Sequence, residues 1–226
     1  MFFLCHWTSV GFWRGIRFIS IFDSLILKKS SFNYVENNRT QENSPFMHPP
    51  QNPKSIFTIG HSIRTIDNLI SLLHAHDIEV VIDIRTIPKS RYCPQFNEET
   101  LKCSLKKAKI GYRHKKDLGG LRHTTAESIN TGWINSSFRG YADYMQTSQF
   151  EKALEKLEAL AQKKRCVLLC AEAVPWRCHR SLVADALTVR KWHVFHIQSK
   201  KTAKLHKLTS FLKIKKGKLI YQSSEK

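Results

Sequence analysis

The sequence predicts a doubly wound α/β fold, with a mostly parallel sheet of about five strands and helices on both faces. Strand-like and helix-like segments alternate five times between residues 55 and 197, and this order is typical of a parallel sheet covered by helices. The strand segments are continuous apolar runs, which is expected where strands are buried on both faces. The 226 residues suffice for one domain of ordinary size with appendages.

The first half of the domain supplies three strands and two helices. The apolar run at residues 56–59 predicts a buried strand, and Thr65 is placed to cap a helix whose apolar residues recur at helical spacing. Residues 78–84, rich in Val and Ile, predict a second strand. We expect Asn97 to cap the next helix, with two glutamates in its first turn. A short strand is predicted at residues 112–114.

The second half begins with an irregular stretch over residues 115–137 and then returns to the alternating pattern. The predicted elements are helices at 141–145 and 150–163, a strand at 166–170, a helix at 180–189 and a last strand at 193–197. The domain is therefore expected to span residues 53–221, followed by a tail at 222–226.

Residues 1–52 form a separate extension that is rich in aromatic residues at its start and polar towards its end. The segment makes a poor signal peptide because Arg14 and Arg17 interrupt its apolar stretch instead of preceding it. We expect it to be a poorly ordered extension or the product of a mis-assigned start, with Met47 as the alternative start. An amphipathic helix that lies on a surface is an alternative structure for this extension.

Charge and cysteine usage indicate the compartment and the partners. The net charge is +19, which attracts anionic small molecules and nucleic acid. Nine lysines and one glutamate lie in residues 200–226, although a solvated basic face is the simpler account of them. No apolar run is long enough to span a membrane. The six cysteines lack the spacing of a secreted disulfide scaffold, so we expect reduced thiols in the cytoplasm. The cofactor and the oligomeric state stay open.

Polar and glycine residues follow each predicted strand. Because ligands bind outside the carboxyl ends of parallel strands, these residues should line one cleft. The candidate site residues, in chain order, are His61, Ser62, Asp83, Arg85, Ser90, Arg91, Gly119, Gly120, Cys170, Glu172, Cys178, His179 and Arg180.

Four of these residues are candidates for catalysis. Cys170 or Cys178 is a candidate nucleophile, since neighbouring cationic groups lower a thiol pKa. Glu172 is a candidate general acid or base, and His61 is a candidate for proton transfer. Each has a structural alternative: a buried thiol, an ion-paired carboxylate, or an imidazole used only for hydrogen bonding.

The remaining candidates are expected to bind an anion or substrate. Arg180 and His179 open a helix, where free N–H groups favour anions, although Arg180 could instead pair with Glu172 or Asp83. Asp83 and Arg85 lie on one face of the second strand. They are expected either to form a salt bridge at the cleft floor or to contact the ligand together. Gly119 and Gly120 permit close approach of backbone to ligand, or simply form a turn. No metal site is predicted, because the Cys-x7-Cys-His spacing is not a standard zinc pattern.

The same segments resemble the bacterial domain-of-unknown-function family 488. The resemblance is carried by the strings at residues 58–62, 83–91, 118–120 and 141–145, and most specifically by Cys-Ala-Glu-Ala-Val-Pro-Trp-Arg-Cys-His-Arg at residues 170–180. It extends from about residue 56 to 221. Leu121 departs from the family, which often has Arg after the double glycine. The resemblance implies an α/β fold and a site at these residues, and it leaves the reaction undefined.

Three functions stay open from the sequence. The first is an enzyme acting on a phosphorylated or nucleic-acid-derived anionic substrate, gripped by Arg85, Arg91 and Arg180. The second is a non-catalytic nucleic-acid-binding accessory protein that uses the same basic surface. The third is rhodanese-like thiol or sulfur chemistry, suggested by a cysteine at a strand end that is followed by a loop and a helix.

Overall fold

The computed structural model describes residues 54–215 and 217–222. The predicted extension at residues 1–52 and residues 223–226 of the predicted tail lie outside the described residues. The expectations for the extension, including a surface helix and the alternative start at Met47, therefore stay predictions.

A central sheet of six strands confirms the predicted α/β class. Its strands lie in the order β3-β2-β4-β1-β5-β6, and all neighbours are parallel except the antiparallel pair β5 and β6. The antiparallel edge strand raises the count from the expected five to six. The bounds are β1 Ser55–Gly60, β2 Val80–Asp83, β3 Gly111–His114, β4 Cys166–Cys170, β5 His193–Ile197 and β6 Ala203–Leu205.

Five helices cover the two faces of the sheet. Alternate strand residues point to opposite faces: Val81 packs with buried residues of α1 and α2, whereas Ile82 packs with those of α3, α4 and α5. This arrangement is the doubly wound fold that the sequence predicts. The helices are α1 Ile66–Ala75, α2 Glu98–Lys107, α3 Ser136–Tyr144, α4 Ser148–Ala161 and α5 Arg180–Val189.

The starts of three helices show how far the capping predictions hold. Thr65 caps α1 as predicted, because its hydroxyl accepts from the N–H of Asn68 at 3.1 Å. Asn97 occupies the N-cap position of α2 as predicted, but its side chain makes no capping bond to the helix. It instead accepts from the N–H of Ser90 at 2.7 Å, since the preceding loop folds back on the helix start. Helix α3 begins earlier than expected because Asn135 caps it.

The lysine-rich end of the domain forms strands that the sequence analysis did not predict. Beyond β6, a separate antiparallel hairpin joins β7 Leu212–Lys215 and β8 Lys218–Tyr221. Tyr221 is fully buried, and its hydroxyl donates to Asp185 of α5 at 3.0 Å. The hairpin is therefore fastened to the domain. No helix in the described ranges is both long and apolar enough to cross a membrane.

Candidate active site

A cleft of about 440 Å³ opens beyond the carboxyl ends of β1, β2 and β4. The predicted site residues that line it are His61, Arg85, Ser90, Gly120, Cys170, Glu172, Cys178 and His179. The predicted residues absent from its lining are Ser62, Asp83, Arg91, Gly119 and Arg180. The structure thus brings eight of thirteen candidates together around one opening.

Backbone contacts hold the ends of β1 and β4 side by side. The N–H of His61 donates to the carbonyl of Cys170 at 2.9 Å, and the N–H of Ser62 donates to that of Ala171 at 2.9 Å. A Cβ at Gly60 would overlap the carbonyl of Glu172, so glycine is required where these two chain segments cross. Ser62, with φ of 47°, serves this junction and does not face the cleft.

Two thiols and an imidazole form the chemical centre of the cleft. The Sγ atoms of Cys170 and Cys178 and the Nδ1 atom of His179 all lie within 4.8 Å of one another. The Nδ1 atom is 3.7 Å from Cys178 Sγ and 4.0 Å from Cys170 Sγ. His179 Nε2 donates to the carbonyl of Ile84 at 3.1 Å. Because a carbonyl only accepts, Nε2 carries a proton. The other ring nitrogen, Nδ1, is the one that faces the two sulfurs.

Arg180 lies behind this centre with 1% of its surface exposed. Its Nη2 donates to the carbonyl of Glu172 at 2.5 Å, and its Nε and backbone N donate to Cys178 Sγ at 3.4 and 3.5 Å. No carboxylate pairs with Arg180 among the described residues. The ion pair with Glu172 or Asp83 is therefore replaced by contacts to a backbone carbonyl and a sulfur.

The surroundings shift the pKa values of the two thiols in opposite directions. The neighbouring Cys170 thiol holds the pKa of Cys178 well below its ordinary value, aided by His179 and Arg180 and opposed by burial. The proximity of Cys178, together with burial, raises the pKa of Cys170. Because Cys178 Sγ also receives the N–H groups of Arg180, negative charge is favoured on Cys178 over Cys170.

His61 and Arg85 form a fixed wall of the cleft. Arg85 pairs with the buried carboxylate of Asp83 at 2.5 Å, as one of the two sequence-based alternatives has it, and its Nη1 donates to His61 Nε2 at 3.3 Å. His61 Nδ1 donates to the carbonyl of Ser62 at 2.9 Å. Burial lowers the pKa of His61, and both of its ring nitrogens are engaged in these hydrogen bonds.

The exposed cations of the cleft are Lys89 and Arg177, neither of which was predicted from the sequence as a site residue. Arg91 is exposed outside the cleft, and Arg85 is neutralised by Asp83. Only their positions in the sequence could have indicated that these two cations belong to the site. Lys89 lies within the loop after β2, and Arg177 directly precedes Cys178. Glu172 is exposed at the same opening, where its Oε1 accepts from the N–H of Ala173 at 3.0 Å.

The double glycine is required by packing. A Cβ at Gly120 would lie 2.5 Å from Nδ1 of His179, and one at Gly119 would overlap the hydroxyl of Thr86. Gly120 thus leaves room for the imidazole ring that faces the two sulfurs.

Cys170, Cys178 and His179 are also the described residues best placed to hold a metal ion. Thiolate and imidazole ligands suit zinc and other soft metals. The N–H groups of Arg180 occupy the sulfur of Cys178, however, and a fixed cation 3.4 Å from a ligand atom disfavours a second cation there.

Comparison with known proteins identifies one family. The family model described as "Domain of unknown function DUF488" matches residues 65–187, which is more than half of the chain. The match includes β2, β4 and the start of α5, and hence both thiols. No curated protein and no solved structure matches the chain.

Proposed function

The chain belongs to the DUF488 family, and from its site we propose that it is a thiol-dependent enzyme in which Cys178 attacks an anionic substrate. The family description names no activity, so the proposal depends on the geometry of the cleft. The proposal favours thiol chemistry among the three functions that the sequence left open.

The contact between Arg180 and Cys178 carries the proposal. A guanidinium stays protonated in proteins, and a buried cation is costly unless an anion pairs with it. The Cys178 sulfur receives two N–H groups of Arg180, lies 3.7 Å from Nδ1 of His179 and lies within 4.8 Å of the Cys170 sulfur. These contacts support a thiolate, which is the nucleophilic form of cysteine.

The second thiol favours sulfur transfer over phosphoryl transfer. In the first step the Cys178 thiolate attacks the outer sulfur of an anionic donor such as thiosulfate, forms a persulfide and releases sulfite. In the second step an acceptor such as cyanide takes that sulfur, and the thiolate returns. The Sγ atom of Cys170 lies within 4.8 Å of that of Cys178, so its S–H can donate to the charged sulfur in both states, and Lys89 and Arg177 line the opening, where they attract the donor's negative charge.

The pH dependence of alkylation tests the nucleophile. We expect the rate of Cys178 modification by iodoacetamide to reach its half-maximum at a lower pH than that of Cys103, an exposed thiol on α2. The midpoint is read from each peptide by mass spectrometry, so differences in access do not affect it. A midpoint for Cys178 equal to or above that of Cys103 would contradict the proposal.

Thiosulfate then tests the chemistry. We expect the wild-type protein and C103S to gain the mass of one sulfur atom at Cys178 and to form thiocyanate with cyanide, whereas C178S does neither. If p-nitrophenyl phosphate is turned over and thiosulfate is not, the substrate is phosphorylated. Zinc that copurifies with the wild-type protein and is lost from both C170A and C178S would instead indicate a metal centre.

A further inference from the structure

A second groove lies on the other side of the turn at Pro175–Arg177. Arg177 lines the thiol cleft, whereas Pro175 and Trp176 line this second cavity of about 420 Å³. We call it the aromatic groove; its other lining residues used below are Trp133, His196, Lys204, His206, Lys207 and Phe211.

Three aromatic side chains line this groove, namely Trp133, Trp176 and Phe211. Trp133 stacks on Phe138 with ring centres 4.7 Å apart and meets Phe211 edge-on at 4.9 Å. Trp176 contributes an indole that is 66% exposed. A large exposed aromatic residue beside a preformed aromatic wall is a stacking surface, and every nucleobase offers a face to such a surface.

A buried hydrogen-bond chain fixes the polar wall of the groove. The buried carboxylate of Asp185 accepts from His206 Nε2 at 2.9 Å, and also from Thr209 and Tyr221. His206 Nδ1 then accepts from His196 Nε2 at 3.0 Å, and His196 Nδ1 accepts from the hydroxyl of Thr58 at 2.7 Å. Every ring nitrogen is thereby engaged. The chain stiffens a binding surface and leaves no nitrogen for proton transfer to a ligand.

Exposed lysines occur in the aromatic groove and on the adjoining hairpin. Lys204 and Lys207 line it, and Lys213, Lys215 and Lys218 are exposed on the β7–β8 hairpin. The hairpin adjoins the groove, because Tyr221 of β8 packs against Trp133 with ring centres 5.6 Å apart. Lys204 and Lys207 are the lysines in the groove itself, whereas Lys218 lines a separate cavity with residues of α4 and α5. Two lysines beside an aromatic groove suit a ligand that carries phosphates.

We propose that the aromatic groove binds single-stranded nucleic acid. One base stacks on Trp176 and the aromatic wall, and the flanking phosphates contact Lys204 and Lys207. Aromatic stacking combined with a basic track is the combination by which proteins hold single strands without reading their sequence. The site is separate from the thiols and does not depend on their chemistry.

Fluorescence anisotropy with a short labelled oligothymidylate tests this proposal on the full chain. We expect Trp176→Ala to weaken binding roughly tenfold, because one stacked base is lost, and Trp176→Phe to retain most of the affinity. The double variant K204A/K207A should also weaken binding and reduce the salt dependence by about one unit of logarithmic slope. The matched control is K152A/K156A, which removes the same charge from exposed positions of α4 and should bind as the wild type does.

Several outcomes would overturn the proposal. Equal losses in K204A/K207A and K152A/K156A would indicate unspecific attraction to a basic protein, and unchanged binding by W176A would exclude stacking. Equal affinity for a duplex would exclude a single-strand site, and competition by thymidine monophosphate as effective as that by the oligonucleotide would indicate a nucleotide site. C178S should bind like the wild type, so failure of the thiol proposal leaves this one testable.

Discussion

At the scale of single residues, burial decides what each charged side chain of the site can do. Arg85 and Arg180 are both buried, yet they have different partners. Arg85 pairs with a carboxylate, whereas Arg180 donates to a carbonyl and to the sulfur of Cys178. The first arginine is paired within the fold, and the second is positioned to favour negative charge on the sulfur of Cys178.

Replacing Arg180 separates its electrostatic effect from its packing. We expect Arg180→Met to raise the pKa of Cys178 by about one pH unit or more, since a cation within a few ångströms lowers an acid's pKa by that amount. The measurement is the pH midpoint of Cys178 alkylation in folded protein. Arg180→Lys should recover part of the shift because the charge is kept.

A purely structural Arg180 would give a different result. Both variants would then lower the melting temperature while the alkylation midpoint of Cys178 stayed at its wild-type value. The midpoint of Cys103 serves as the internal control in each protein, because that thiol is exposed on α2.

The sequence predicted which residues converge better than it predicted what each one does. Cys170, Cys178 and His179 stand out because they follow a strand and open a helix, and the structure places them together. The sequence also suggested Arg85, Arg91 and Arg180 as an anion grip. The exposed cations at the cleft are instead Lys89 and Arg177. Whether an arginine side chain is buried depends on tertiary packing, which neighbours in sequence do not reveal.

At the scale of elements, loops fix the thiol centre more than the helix and strand that carry it. The imidazole of His179 is held between the carbonyl of Ile84, after β2, and the backbone of Gly120, after β3. Three separate loops therefore set the distance from Nδ1 to the two sulfurs.

The substitution Gly120→Ala tests this arrangement. Its Cβ would come within 2.5 Å of Nδ1 of His179, and the ring cannot retreat without breaking its bond to Ile84. We expect slower alkylation of Cys178 at neutral pH and a modest loss of stability of about 1–3 kcal/mol, as is usual for overpacking. Far-UV circular dichroism should be unchanged, and alkylation at the wild-type rate would contradict the expectation.

Element bounds were predicted best where apolar residues dominate. Strands β4 and β5 and helix α5 begin and end where the sequence places them, since their apolar patterns are continuous and bounded by polar residues. Strands β6, β7 and β8 were missed because lysines alternate with apolar residues there, as on any solvated face. These strands form through their partners: β6 pairs with the edge of β5, and β7 with β8.

At the scale of the whole molecule, charge and protonation link stability to pH. The net charge of +19 already opposes a compact state. Burial lowers the pKa of His196 to about 3, with His206 and Arg180 adding to the effect and Asp185 opposing it. Burial also lowers the pKa of His61, where the nearby charges are Arg85, Asp83 and Arg180.

These lowered values predict that acid destabilises the fold. Between the ordinary histidine pKa of 6.5 and the folded-state value of about 3, the unfolded chain binds a proton at His196 that the folded protein does not. The stabilisation is therefore complete above pH 6.5 and is lost as the pH falls through this range, by up to about 1.4 kcal/mol per pH unit for each such histidine.

Urea unfolding at a series of pH values measures the slope of the unfolding free energy against pH. His196→Gln, which removes the titrating imidazole, should make the slope shallower, whereas the exposed control His74→Gln should not. An unchanged slope in H196Q would show that another group governs the acid sensitivity.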